Sequence, residues 1–229
     1  MELTSAAWAA HLAQLRERGV VLLRGVFAGR PLAALRRAGP SCLPAIAAGN
    51  GQASLAALLD SVSAVSGEWT APLAAPGLQR LFADAMGCDV KCSLEQSWMR
   101  KKYAPLRAPP RHHPNSWHQD GGLAVRFPPE PGPAPPMTPL LTCWIPLEAC
   151  GVDRPGLEFV RRRLPVLLHY TELNDDTLRQ RFAPEEFWAP ALELGDGLVF
   201  LHGTLHRTYV RPEMRKDRLS VEYRLFPAD

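Results

Sequence analysis

The eight residues from Arg218, RLSVEYRL, alternate strictly between polar and apolar side chains. Successive side chains of an extended strand point to opposite faces. Arg218, Ser220, Glu222 and Arg224 therefore share one face, and Leu219, Val221, Tyr223 and Leu225 share the other. The second face is apolar enough to pack on helices. The first must look at water or into a polar cavity. An arginine and a hydroxyl side by side there, Arg218 and Ser220, form a carboxylate clamp, a charged fork plus one further donor.

The rest of the chain says what could surround such a strand. The 229 residues are 46% hydrophobic and 21% charged, enough for one sizeable core, so a single domain over 1–229 is expected. Residues 1–89 read as a mainly helical support region. Trp8, Leu12 and Leu15 fall on one helical face, with Thr4 or Ser5 as cap. VVLLRGVF (20–27) reads as a strand, PLAALRRAG (31–39) as a short helix, and 53–63 and 76–86 as two more helices, with Gly67 and Pro76 marking loops. From Val90 the texture changes: 92–103, 140–149, 195–202 and 218–226 read as strands, and 175–187 as a helix interrupted near Pro184. The proline-rich 127–139 excludes helix and central strand and predicts an extended surface loop. Helices first, then short strands with long connections, predict a jelly roll over 90–226 with the N-terminal helices packed on one sheet.

Composition narrows the function. A net charge of +3 and a pI of 8.7 are too weak to imply nucleic acid, and Arg161-Arg162-Arg163 reads as a solvated patch. No apolar run approaches the ~20 residues of a membrane span, so no membrane partner is expected. The N-terminus reads as a folded helix rather than a signal peptide. Five cysteines without a CxxC pair argue against a disulfide framework or zinc ribbon and fit a reducing cytoplasm.

WHQDGG (117–122) supplies the other half of the chemistry. His118 and Asp120, at i and i+2 on extended chain, can face one ion. Of the seven histidines, His11, His112, His113 and His169 are poor ligand candidates, and His202 and His206 both follow the Gly195-Asp196-Gly197 turn. His118, Asp120 and His206 would make a two-histidine, one-carboxylate facial triad with three coordination positions open, the arrangement that non-heme Fe(II) oxygenases use. Arg218 could then hold the far carboxylate of a co-substrate.

Together WHQDG, Trp144 in LTCWIPL, GDGLVFLHGTLH and RLSVEYR resemble the phytanoyl-CoA dioxygenase family of iron- and 2-oxoglutarate-dependent oxygenases, over about residues 90–226 and more weakly GVVLLRGVFAGRPLAAL. The resemblance selects His206 over His202, since twelve residues rather than sixteen then separate it from Arg218. It implies that His118, Asp120 and His206 bind Fe(II), and that Arg218 pairs with the C5 carboxylate of 2-oxoglutarate, assisted by Ser220. Thr208 and Trp144 would line the same pocket. With O2 the implied reaction hydroxylates a small molecule and releases succinate and CO2. Related halogenating enzymes lack the carboxylate ligand, so Asp120 favours hydroxylation, though desaturation, epimerisation or ring closure would share the same first step. One departure is that GLEFV (156–160) runs into RRRLP, where many members have a small-residue turn ending in Ser-His.

The basic residues Arg100, Lys101, Lys102, Arg107, Arg111 and Arg126 flank the HxD motif, either as a solvated face or as an entrance that favours an anionic substrate. Trp98, Arg100 and Lys102 share one face of their strand, and 127–139 is placed to act as a lid. Two other classes fit part of the pattern. A non-oxidative metal-dependent jelly-roll enzyme, an isomerase or hydrolase, would not need Arg218 and Ser220. A metal-free binding protein would need none of the ligands.

Overall fold

A computed structural model describes residues 4–27, 29–61, 69–75, 77–109, 112–123, 125–129 and 132–228. Gly67, Pro76 and Arg111 lie outside the described residues. Five helices and nine strands occur in the described chain. In order they are α1 (Ser5–Arg18), β1 (Val20–Leu23), α2 (Arg30–Ala48), β2 (Gln52–Ser54), α3 (Leu55–Ser61), α4 (Leu78–Met86), β3 (Val90–Lys102), β4 (Leu141–Pro146), β5 (Gly156–Val160), α5 (Asp175–Arg181), β6 (Phe187–Trp188), β7 (Gly197–Leu201), β8 (His206–Tyr209) and β9 (Arg218–Pro227). The strands form two antiparallel sheets, one of six strands ordered β1-β7-β4-β9-β3-β2 and one of three ordered β6-β5-β8. This is the expected jelly roll with flanking helices. The helical N-terminal region also supplies both edge strands of the large sheet, β1 against β7 and β2 against β3.

The alternation of β9 is realised. Val221, Tyr223 and Leu225 are buried against Leu15 of α1, Leu35 and Ile46 of α2 and Phe82 of α4, with Leu219 at the margin. Fully burying one such side chain contributes about 1.5–3 kcal/mol, so this face ties the helices to the sheet. The Tyr223 hydroxyl donates to the Trp69 carbonyl at 2.5 Å, which satisfies the one polar atom on that face. Arg218, Ser220, Glu222 and Arg224 point the other way and are buried as well. They look into the space between the sheets, not at solvent.

Several boundaries differ from the sequence reading, each for a local reason. Thr4 caps α1 through a 3.3 Å bond from the Ala7 amide, and Gly19 ends it in a left-handed conformation that glycine adopts without strain. The strand expected over 20–27 stops at Leu23. Arg24 and Gly25 turn there, and the Gly25 amide and Arg24 guanidinium are held by the Asp196 carboxylate. The helix expected to end at Gly39 continues as α2 to Ala48, through Pro40 and Pro44. Gly39 is not a stop but a crossing point: a Cβ there would lie 2.7 Å from a Leu219 methyl. The segment 53–63 begins in β2 and only then becomes α3, while 62 and 63 are outside the described residues. The helix expected over 175–187 ends at Arg181, and Pro184 starts a separate turn leading into β6.

The short strands β5, β6 and β8 of the small sheet were missed. GLEFV forms β5, paired with β8. The Arg161–Arg163 patch is solvated as expected, with Arg162 and Arg163 exposed and Arg161 half-buried, and two of its members are also paired. Arg161 stacks on Trp188 at 5.4 Å, and Arg162 pairs with Glu186 at 2.6 Å. The described part of 127–139 contains neither helix nor strand. It is pinned by His169 Nε2, which bonds the Pro128 carbonyl at 2.9 Å, and by the Thr138 amide, which donates to Gly121 O at 2.9 Å. All five cysteines are free thiols.

Candidate metal centre

The segment HQD reaches the interior by pairing with the small sheet. His118 and His206 exchange two backbone hydrogen bonds of 3.0 Å, which extends β8 by one bridge. Alternation then turns His118 and Asp120 to one side and Gln119, also buried, to the other. Gln119 fixes the segment. Its amide nitrogen donates to Val166 O and Gly203 O, and its oxygen accepts from the Leu168 amide. Immediately afterwards Gly121 packs so closely that a Cβ would lie 3.1 Å from His202 O.

These contacts bring three ligand types together. The donor atoms of His118, Asp120 and His206 lie within 4.8 Å of one another. Each histidine Nε2 is 3.7 Å from Asp120 Oδ1. That is shorter than twice a typical metal–ligand bond of ~2.1 Å, so one ion can reach all three. Both rings direct Nδ1 at a backbone carbonyl, Ser116 O at 2.7 Å and Thr204 O at 3.0 Å. Protonation at Nδ1 leaves the Nε2 lone pairs for a metal. Burial and the neighbouring His206 push His118 down to about 4, so it is neutral and able to ligate at physiological pH. His206 is further held between Phe159 and Phe200, at 5.8 and 4.6 Å between ring centres. His202 stays outside the cluster, its Nδ1 3.2 Å from Leu140 O.

The carboxylate is supported from both sides. Thr142 Oγ1 donates to Asp120 Oδ2 at 2.7 Å, and Arg224 Nη2 to Oδ1 at 3.1 Å. Burial opposes ionisation of Asp120, but His206 and Arg224 outweigh it and keep the carboxyl below its usual range. Arg224 also bonds Glu222 at 2.7 Å, and Glu222 bonds Arg100 at 3.1 Å. Two cations and two carboxylates thus alternate in a buried chain, Arg100–Glu222–Arg224–Asp120.

Beside the triad is a niche lined by Trp144, Leu157, Thr208, Lys102 and Arg218. Arg218 is 1% exposed, its guanidinium 4.9 Å above the Trp144 ring, with one nitrogen donating to Gly156 O at 3.2 Å. Burial lowers its pKa to about 10, so the charge persists at neutral pH. Arg218 Nε and Ser220 Oγ are buried without a hydrogen-bond partner, two of the few such atoms among the described residues. An unsatisfied buried donor costs about 1–3 kcal/mol, more when charged, so this corner is built to receive an acceptor. Register adds a second reason. Lys102 stands directly opposite Arg218 on β3 and β9, and facing like charges repel unless an anion separates them. Burial and Arg218 push the Lys102 ammonium down to about 7, and it donates to Asn115 Oδ1 at 2.7 Å. Thr208 Oγ1 accepts from the Asn115 amide at 3.2 Å at the rim. Two imidazole nitrogens and one carboxylate oxygen fit a divalent transition-metal ion, and the niche beside them fits a carboxylate-bearing co-substrate.

No protein-family model and no curated protein sequence matches the chain. Solved structures do. The non-heme alpha-ketoglutarate-dependent epimerase SnoN from nogalamycin biosynthesis superposes with a TM-score of 0.67 at 18% identity, over 98% of this chain and 85% of SnoN. EctD from S. alaskensis, solved with bound Fe, gives a TM-score of 0.72 at 16% identity over 99% and 79% of the two chains. The alpha-ketoglutarate-dependent carbocyclase SnoK gives 0.65 at 17% identity over 100% and 85%. The fold is shared with these enzymes. Beyond the residues singled out by sequence, the site enlists Gln119, Thr142 and Asn115, whose roles depend on contacts between distant segments. Glu222 and Arg224 were visible only as members of the polar face of β9.

Proposed function

We propose that the protein is an Fe(II)- and 2-oxoglutarate-dependent oxygenase acting on a small molecule. The observation that carries this is the pairing of the triad with two orphaned buried donors, Arg218 Nε in a residue lining the adjoining niche and Ser220 Oγ two residues along the same face of β9. EctD has been solved with bound Fe and with 2-oxoglutarate and 5-hydroxyectoine, which supports the same assignment here. His118, Asp120 and His206 would hold the iron. Arg218, Ser220 and Lys102 would hold the 2-oxoglutarate, with Thr208 and Trp144 lining its site. Bound with O2, iron and 2-oxoglutarate supply the oxidative chemistry, release of succinate and CO2 coupled to hydroxylation of a substrate C–H bond.

The chain's own residues position and shield. The Nδ1 bonds fix both imidazoles in the tautomer that ligates. Thr142 and Arg224 fix the carboxylate. Trp144 beneath Arg218 excludes water from the guanidinium, which strengthens its pairing with a carboxylate in a low-dielectric site. Phe127 lines a small apolar pocket beside His118, and its loop is anchored where His169 bonds Pro128 O. The test is succinate release from 2-oxoglutarate with Fe(II) in air. Wild type and His202→Ala should release succinate, and Asp120→Ala and His206→Ala should not. Equal release from Asp120→Ala would overturn the assignment.

A further inference from the structure

A cavity of about 560 Å³ opens over the triad, with His118 in its wall. That volume suits a drug-sized ligand. Two features of the wall describe what it takes. First, its charges are already matched. Arg100 and Arg224 both reach the cavity, but each is bonded to Glu222, and Arg224 also to Asp120. Three other basic residues near the motif are engaged: Lys101 and Arg107 are each 3.4 Å from Asp217, and Lys102 faces the niche. An anionic ligand would find both guanidiniums of the wall already engaged by buried carboxylates. Second, the remaining polar groups are neutral and of both hydrogen-bonding kinds: the amides of Gln52, Gln96 and Asn115 and the hydroxyl of Ser116. The Gln52 and Asn115 oxygens accept from Arg100 and Lys102, which leaves their NH2 groups to donate. Trp98 stands among them, half-buried, with Arg100 stacked 5.6 Å from its ring centre.

We infer that the substrate presents a neutral polyhydroxylated ring, a sugar, to this cavity. A pyranose has one C–H-rich face to lie on the indole and hydroxyls that both donate and accept. It can satisfy three amides and a hydroxyl with no charge to neutralise. An acyl chain or a bare hydrocarbon ring would strand those groups, at about 1–3 kcal/mol each. A carboxylate or phosphate would have to compete with the pairs that Glu222 and Asp120 already make. The inference rests on the proposed function only for the word substrate. The cavity's ligand chemistry is read from its own wall.

Saturation-transfer NMR on the full chain tests it. The probes are methyl glycosides of glucose, galactose, mannose and rhamnose, with glucuronate and cyclohexylmethanol as charged and apolar controls. Manganese(II) uptake is measured by EPR on the same samples. At least one methyl glycoside should bind with millimolar affinity, and both controls should bind at least ~10-fold more weakly. Trp98→Ala and the milder Gln96→Leu, at an exposed position, should each reduce glycoside binding while manganese uptake persists. Binding of glucuronate or cyclohexylmethanol in preference, or of no glycoside, overturns the sugar assignment and leaves the oxygenase reading intact if manganese still binds. Glycoside binding that depends on Trp98 without any metal uptake sustains the sugar site and removes the oxygenase reading.

Discussion

Replacing Arg224 with methionine tests whether the buried charge chain holds the metal ligand in place. The side chain is nearly fully buried, and its guanidinium makes hydrogen bonds of 2.7 and 3.2 Å to Glu222 and 3.1 Å to Asp120. Removing one partner of a buried ion pair costs about 3–5 kcal/mol, because the other charge is left uncompensated. Glu222 keeps Arg100, so the lower end, about 3 kcal/mol, is expected. For a chain of this size each kcal/mol moves the melting temperature by about 2–4 °C, which gives a fall of roughly 6–12 °C. The assay is a double-mutant cycle in denaturant with Arg224→Met, Asp120→Asn and the pair. Asp120→Asn removes the stranded charge, so the double variant should recover at least ~1 kcal/mol relative to the sum of the singles. Additivity within ~0.5 kcal/mol, the range found for independent sites, would refute the claim that Arg224 acts on Asp120.

Other residues give independent checks. Arg218→Met should weaken 2-oxoglutarate binding by about 10–100-fold, the loss of one or two charged hydrogen bonds, in an anaerobic titration, with metal affinity unchanged. Lys102 is pushed down to about 7 in the free protein, so near pH 8.5 most of it is neutral, and a bound carboxylate should raise it again. Calorimetry in buffers of different ionisation enthalpy should then show proton uptake on 2-oxoglutarate binding in wild type and none in Lys102→Met. Tyr223→Phe should cost about 1–3 kcal/mol in denaturant unfolding by orphaning the Trp69 carbonyl, with succinate release retained.

The parts legible in the sequence were those carried by local periodicity. RLSVEYRL declared two faces, and the helices and sheet found beyond them were the ones those faces required. HxD at i and i+2 likewise needed only an extended backbone to converge. What escaped was set by contacts between distant segments. Gly39 looks like a helix stop until Leu219 is seen to cross it. Strands β6 and β8, two and four residues long, are too short to show a period. Arg224 and Glu222 read only as members of a face that looks at water or into a polar cavity, since nothing local reveals that Asp120 and Arg100 come to meet them. Lys102 sits in a run of basic residues, and only the register with Arg218 separates it from Lys101 beside it.

The most direct measurement is an anaerobic optical titration, Fe(II) first and 2-oxoglutarate second. Triad and niche together predict a weak visible band that appears only when both are present, survives His202→Ala, and disappears in His206→Ala. A spectrum that stays flat in wild type at saturating Fe(II) and 2-oxoglutarate would contradict the proposal that these two groups of residues form one site.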